Sequence, residues 1–122
     1  MNSLNFILQY DGSKNAVIRG SGYLSQDILE AQMIVKLSDL KCKALRIESL
    51  VFALQEKMGC VLWWMCEEGN YSIAPIEGKG QLNFEGLQGI HSPANGLVGI
   101  GITTFGSTSG KYILLMLDLT KQ

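Results

Sequence analysis

Residues 60–66 read CVLWWMC, a run in which both faces of a β-strand would be apolar. This pattern is typical of a central strand that is covered on both sides. Successive side chains of a strand point to opposite faces, so Trp63 and Trp64 would each supply a large ring to a different layer. The sequence therefore predicts a layered fold with this strand near its middle.

Short alternating or apolar segments, separated by turn signals, predict further strands. The alternating segment 4–10 is followed by Asp11-Gly12, a strong hairpin signal, and 14–20 is the returning strand. Segment 28–40 is ambiguous, but its alternation favours a strand because its apolar residues scatter around a helix axis. Pro75 indicates that a strand there lies at a sheet edge or ends there. The remaining predicted strands are 71–76, 81–84, 97–105 and 111–119.

Residues 41–58, by contrast, have the spacing of an amphipathic helix. Their apolar side chains fall on one stripe, which consists of Ile47, Leu50, Val51, Leu54 and Met58. Gly59 follows, where a helix often ends. We therefore predict an α+β fold, with a mostly antiparallel, curved sheet of about six to eight strands packed against this one main helix. The length of 122 residues fits a single domain spanning 1–122.

Two apolar residues do not fit this helix. Leu45 and Phe52 lie seven positions apart and would project from its polar side, beside Glu48 and Glu56. A helix with one buried side has no need of apolar residues there. Either a neighbouring loop of the same chain covers them or another chain does, and the sequence supports both explanations equally.

The segment 86–110 contains no Asp, Glu, Lys or Arg in 25 residues, and it holds seven of the 14 glycines. A surface segment normally carries charge, so this one is predicted to be buried or covered. Three explanations fit: a loop followed by a buried strand, a contact between identical chains, or a small-ligand cleft. Interfaces are depleted of charge at their centres, and glycines allow backbones to approach closely. The predicted interface residues are Leu45, Phe52, Gln88, Asn95 and Thr103.

The overall composition argues against several classes of protein. Charged residues make up 17% of the chain, the net charge is −1 and the pI is about 5.7, unlike a dedicated nucleic-acid binder. No apolar stretch approaches the ~20 residues of a membrane span. The first 12 residues lack the basic segment of a signal peptide, which favours the cytoplasm. Three cysteines and one histidine show no metal-ligand spacing, so we expect neither a metal nor another cofactor.

Cys42 and His91 are weak candidates for catalysis. Cys42 falls in the first turn of the predicted helix, where the helix dipole and the flanking Lys41 and Lys43 would lower the pKa of its thiol. His91 is the only histidine, and a nucleophile would need it nearby. The alternative is a structural cysteine and a loop histidine, and on balance we expect a protein that is not an enzyme.

Two further groups of residues suggest binding. Lys36, Lys41, Lys43 and Arg46 cluster in the sequence and would meet an anion or an acidic partner, although such a group is more often a solvated face. Segment 106–111 partly matches the phosphate-loop pattern, but its glycines are too close together and Tyr112 replaces the magnesium-ligating hydroxyl. We therefore interpret 106–111 as a hairpin loop.

These observations support two functional hypotheses. The first is a small, cytoplasmic, non-enzymatic interaction protein that self-associates, as a homodimer or other homo-oligomer, through an uncharged glycine-rich surface. A variant of it is an inhibitor of another protein. The alternative is a small-molecule-binding protein or small enzyme with a cleft near His91. The predicted lining residues of that cleft are Trp63, Trp64, Tyr71, Phe84, His91 and Tyr112.

Overall fold

A computed structural model describes residues 4–84, 89–93, 96–106 and 110–122. Within these residues the chain forms ten β-strands and one helix of four residues. The predicted α+β fold with a main helix at about 41–58 is therefore wrong, because that segment is strand on both sides of a short turn. No helix in the described part of the chain is long and apolar enough to cross a membrane.

The strands form two antiparallel sheets. Their bounds are β1 Asn5–Asp11, β2 Asn15–Leu24, β3 Gln32–Lys36, β4 Leu45–Leu54, β5 Met58–Cys66, β6 Gly69–Glu77, β7 Lys79–Asn83, β8 Ile90–His91, β9 Leu97–Gly106 and β10 Lys111–Lys121, and α1 is Leu37–Leu40. The first sheet has the order β1-β2-β10-β4-β7, and β8 also pairs with β4. The second sheet has the order β3-β9-β5-β6. All of the described strand pairs are antiparallel.

The two sheets share one hydrophobic core between their inner faces, which makes a β-sandwich. Alternate residues of β10 supply the first sheet's share, and each is almost fully buried: Ile113, Leu115, Leu117 and Leu119. The second sheet contributes the inward residues of β5 and β9, namely Cys60, Leu62, Trp64, Ile100 and Ile102. The period of two in these strands matches the alternation expected of a sheet with one buried face.

A β-bulge in β4 explains the failed helix prediction. Opposite β10, Ser49 pairs with Asp118 and Ile47 pairs with Leu119, which leaves Glu48 without a partner on that strand. The extra residue moves the inward positions from Leu45 and Ile47 to Leu50, Phe52 and Leu54. The inward residues Ile47, Leu50 and Leu54 are consequently three and then four positions apart, which is the spacing of one face of a helix. Leu45 and Phe52, which fit no helix face, are inward positions of this strand.

Several strand predictions are confirmed. β1 and β2 form the predicted hairpin, and β5 is an inner strand of the second sheet with Trp63 and Trp64 on opposite faces. The predicted cover on both sides of β5 is found only on the Trp64 side, which faces the first sheet. β6 is an edge strand, as Pro75 indicated. Segment 28–40 is a strand only over β3 and ends in α1, after which Lys41 has a left-handed φ of 56°.

Candidate functional site

The outer face of the second sheet carries large apolar side chains that no described element covers. Across β5 and β9, Val61 pairs with Thr103, Trp63 with Gly101 and Gly59 with Phe105. Met65 pairs with Gly99 and Met33 with Gly101, so both methionines also point outward. We call this surface the tryptophan face and define it by Met33, Val61, Trp63, Met65, Thr103 and Phe105.

Glycines give the tryptophan face its shape. A side chain at Gly99 would meet the sulfur of Met33 at 2.6 Å, and one at Gly101 would collide with the sulfur of Met65. The two flexible methionine side chains therefore lie over the glycine backbone of β9. Methionine adapts readily to irregular partners and is frequent on binding surfaces. Because β9 carries no charge and its glycines have no side chains, its outer face forms a flat apolar strip beside Trp63.

A hydrogen bond orders the centre of the tryptophan face. The indole N–H of Trp63 donates to the hydroxyl oxygen of Thr103 at 3.0 Å. Trp63 and Thr103 are half-buried, and Phe105 is 38% exposed. No outward position of β5 or β9 on this face is charged. The flanking charges, Glu77 beside Gly59 and Lys36 beside Gly99, lie at diagonally opposite corners.

The predicted interface residues lie in different parts of the structure. Thr103 lies on the tryptophan face. Leu45 is fully buried in the core of its own chain, so it has no exposed surface to offer a partner. Phe52 is half-buried, packs against the same core and lies opposite Gly80. Gln88 and Asn95 lie outside the described residues. The idea that Leu45 and Phe52 project from a helix is therefore corrected, because both lie on the inner side of β4.

The predicted ligand-binding residues do not meet in one site. Trp63 is on the outer face of the second sheet, whereas Trp64 is in the core at 3% exposure. Tyr71 is exposed near the turn between β5 and β6, and Phe84 packs against the core. Tyr112 makes an edge-on ring contact with Tyr23 at 5.1 Å, on the first sheet. His91 is exposed on β8.

The Cys42–His91 hypothesis loses its main support. Cys42 follows the end of α1 instead of beginning a helix, and burial raises the pKa of its thiol despite the nearby Lys121 ammonium. His91 Nδ1 lies 3.4 Å from Oε1 of Gln122. The adjacent Ser92 hydroxyl accepts a hydrogen bond from the Leu45 amide at 3.0 Å. These partners hold His91 and Ser92 in structural contacts at the start of β4.

Sequence reasoning missed a polar cluster at the bulge. The Glu48 carboxylate accepts hydrogen bonds from the Thr120 hydroxyl at 2.8 Å and from Arg46 Nε at 2.5 Å. The Thr120 bond is the main cause that holds the pKa of Glu48 below its usual value. In the sequence, the only sign of this cluster is an acidic residue, Glu48, between the apolar residues Ile47 and Leu50. In the part of the chain that the structure describes, no three His, Cys, Asp or Glu residues are grouped to hold a metal ion.

Two cavities lie at opposite ends of the sandwich. The first, which we call the end cleft, has a volume of about 580 Å³. Its walls include Leu54, Lys57, Met58, Glu77 and Phe105. The second, the lysine pocket, has a volume of about 500 Å³. Its described lining residues are Ser13, Leu40, Lys41, Cys42, Lys43, Lys121 and Gln122.

Comparison with known proteins gives only a distant structural likeness. No family model matches the chain, and no curated protein matches it. A cupin domain from Bordetella pertussis Tohama I aligns with a TM-score of 0.41 at 9% identity, over 98% of this chain and 94% of that one. The cupin domain of Schizosaccharomyces pombe Cnp3 aligns with a TM-score of 0.42 at 6% identity, over 100% of this chain and 67% of that one. Neither score is high enough to support a functional inference.

Proposed function

We propose that this protein is a non-enzymatic interaction domain that self-associates by packing the tryptophan faces of two copies together. The observation that carries the proposal is the uncovered apolar surface of β5 and β9. A strand that is apolar on both faces normally has cover on both sides. Here Trp64 is covered by the first sheet, while no described element of the same chain lies over Trp63.

The charge pattern favours a second copy over an unrelated partner. The centre of the face is neutral, and its two corner charges, Lys36 and Glu77, are opposite in sign. A two-fold axis along the other diagonal would bring Lys36 of one copy next to Glu77 of the other. The same patch then serves both subunits, as an isologous interface requires. The strands of the two copies would cross steeply, which is one of the two common ways for sheets to pack.

The size of the face sets the expected strength of the dimer. Four strands about 4.8 Å apart, with the nine-residue β5 about 30 Å long, give a face of roughly 600 Å². A standard interface buries about 800 Å² on each partner. We therefore expect a reversible dimer that dissociates in the micromolar range and not an obligate one.

Sedimentation velocity over a series of micromolar concentrations tests the proposal. The average mass should rise from the monomer value of 13.4 kDa towards twice that value. Trp63→Lys and Val61→Lys should each keep the protein monomeric, because a buried unpaired ammonium opposes association. Met116→Lys is the matched control, since Met116 is a half-buried residue on the outer face of the first sheet, at the centre of β10.

Two results would overturn the proposal. One is a wild-type protein that stays at the monomer mass up to high micromolar concentration. The other is an equal loss of association in Met116→Lys and in the two variants of the tryptophan face. Circular dichroism of each variant establishes that it has folded before its mass is interpreted.

One observation favours small-molecule binding as a second candidate function, at the end cleft instead of near His91. The cleft volume of about 580 Å³ lies within the range of about 300–1,000 Å³ for ligand sites. Leu54, Met58 and Phe105 give it an apolar wall. A ligand that binds the native state raises the melting temperature by mass action. A metabolite that raises the melting temperature of the wild type but not of Phe105→Ala would support this candidate, and no shift across a broad metabolite set would count against it.

A further inference from the structure

The lysine pocket forms where three distant parts of the chain meet. Ser13 comes from the turn between β1 and β2, Lys41 and Lys43 from the connection between α1 and β4, and Lys121 from the end of β10. The pocket lies at an end of the sandwich, away from the tryptophan face, so a ligand could bind in it whether or not the protein self-associates. Lys121 joins two members of the basic cluster that the sequence had indicated.

The charges of the lysine pocket are unbalanced. Three lysines contribute to its lining, and none of its described lining residues is Asp or Glu. The neighbouring carboxylate of Asp11 accepts a hydrogen bond from Lys121 Nζ. An ammonium group has three N–H donors and can hold a second acceptor while it keeps this one. Net positive charge in a concave site concentrates anions.

Lys121 is also unusually buried for a lysine. Its side chain is only 10% exposed, whereas that of Asp11 is 38% exposed. Removal of an ammonium group from water is costly unless a negative group compensates for it. A single, partly solvated carboxylate compensates weakly, so an anion bound in the pocket would stabilise this arrangement.

The backbone of Lys41 is a second, independent observation. Its φ of 56° is left-handed, a conformation that costs a residue other than glycine about 1 kcal/mol. Glycine is the residue that most often occupies such a position after a helix. Residues other than glycine that adopt a left-handed conformation are concentrated at ligand clamps and other functional sites. Lysine at this position adds a cation to the wall of the pocket.

We propose that the lysine pocket binds a small dianion of the phosphate class, either inorganic phosphate or a phosphate monoester. Three lysines at one pocket match the charge and the multiple acceptor oxygens of a phosphate group. A volume of about 500 Å³ is larger than inorganic phosphate needs, so it leaves room for a small organic substituent. Lysine recognises phosphate as a point charge and does not require the planar geometry of arginine.

Cys42 lines the pocket and provides a built-in reporter. Iodoacetate and iodoacetamide alkylate the same thiolate and differ mainly in charge, since the first is an anion and the second is neutral. The ratio of their rates is therefore independent of the thiolate fraction and reports the charge around the cysteine. Cys66 is the internal control, because it lines a third, smaller cavity together with the acidic residues Glu67 and Glu68. Peptide mass spectrometry distinguishes the two sites. At low ionic strength we expect the iodoacetate-to-iodoacetamide ratio at Cys42 to exceed that at Cys66 about tenfold, and salt should reduce the difference.

Competition then identifies the anion. Inorganic phosphate should slow the alkylation of Cys42 by iodoacetate, relative to chloride at equal ionic strength, and leave Cys66 unchanged. Glycerol phosphate is the second arm, and stronger protection by it than by inorganic phosphate assigns the pocket to a monoester. Stronger protection by inorganic phosphate assigns it to the free ion.

Substitutions separate a built site from general surface charge. Lys41→Gln and Lys43→Gln should each lower the rate ratio at Cys42 and weaken protection by phosphate. Lys57 also has a left-handed φ but lies at the opposite end of the sandwich. Lys57→Gln should therefore change neither the rate ratio at Cys42 nor the protection by phosphate. The proposal is overturned if the ratios at Cys42 and Cys66 are equal, if neither phosphate compound protects Cys42, or if Lys57→Gln acts as strongly as the pocket variants.

Discussion

Trp63 and Thr103 are joined across β5 and β9 by a hydrogen bond of 3.0 Å on an outer face that no described element covers. This bond links the apolar strand 60–66 to the uncharged segment 86–110. It therefore places the two most unusual features of the composition on one surface.

The Trp63–Thr103 bond should contribute measurably to stability. Thr103→Val keeps the shape of the side chain but removes the acceptor, and we expect the free energy of unfolding to fall by about 1 kcal/mol. Thr103→Ser retains a hydroxyl acceptor and should recover part of that loss. Urea denaturation measures both variants. A Thr103→Val variant that is as stable as the wild type, together with a loss in Thr103→Ser, would show that the bond contributes nothing and that packing of the methyl group matters instead.

Cys60 should make stability depend on pH in the alkaline range. Burial raises the pKa of its thiol from 9.0 to about 12. Above about pH 9 the unfolded chain ionises this thiol while the native state keeps it protonated, so stability falls as pH rises towards 12. The expected slope is at most about 1.4 kcal/mol per pH unit. Cys60→Ala should show a shallower loss than the wild type over this range, and parallel curves would contradict the assignment.

Glu48 should make the stability of the protein fall in acid, as the pH decreases. Its pKa is held below the usual value of 4.5, chiefly by the Thr120 hydroxyl and with a further contribution from Arg46. The stability that it contributes is therefore present above about pH 4.5 and is lost as the pH falls through the native-state pKa. Glu48→Gln should destabilise the protein by about 1 kcal/mol at neutral pH and by less in acid. Glu68→Gln, in an exposed turn, is the control and should change stability little at either pH.

Two glycines at either end of the β9–β10 connection offer a matched test of backbone strain and collision. Gly106 and Gly110 have similar left-handed φ values, 84° and 72°. A Cβ at Gly106 would collide with the Lys57 carbonyl oxygen, whereas no described atom lies within 4 Å of one at Gly110. We expect Gly110→Ala to cost about 1 kcal/mol from strain alone. Gly106→Ala should cost clearly more in thermal or urea denaturation, and equal losses would show that the Lys57 turn moves aside.

Local pattern was enough to predict most strands but not the architecture. Alternation followed by the Asp11-Gly12 turn identified the hairpin of β1 and β2, and an unbroken apolar run identified β5. The bulge at Glu48 defeated the same reasoning, since one inserted residue turned the spacing of a strand into that of a helix. A sequence window contains no partner strand against which such a bulge would be visible.

The candidate surfaces were partly predictable for a similar reason. Thr103 was identified because the lack of charge is a property of the sequence itself. The lysine pocket was only half visible, since Lys41 and Lys43 are neighbours whereas Lys121 reaches them through the pairing of β10 with β4. The predicted ligand residues failed to converge because aromatic type alone does not indicate on which sheet, or on which face, a ring will lie.

The position of β10 inside the first sheet has a consequence for how the chain acquires its structure. β10 is the last of the described strands in sequence, yet it pairs with both β2 and β4 over most of its length. During synthesis, β2 and β4 have no shared neighbour until residues 111–121 have left the ribosome. Until then both strands expose unpaired edges, which invite association with other chains. We expect folding to be slow, because its central pairings span most of the sequence.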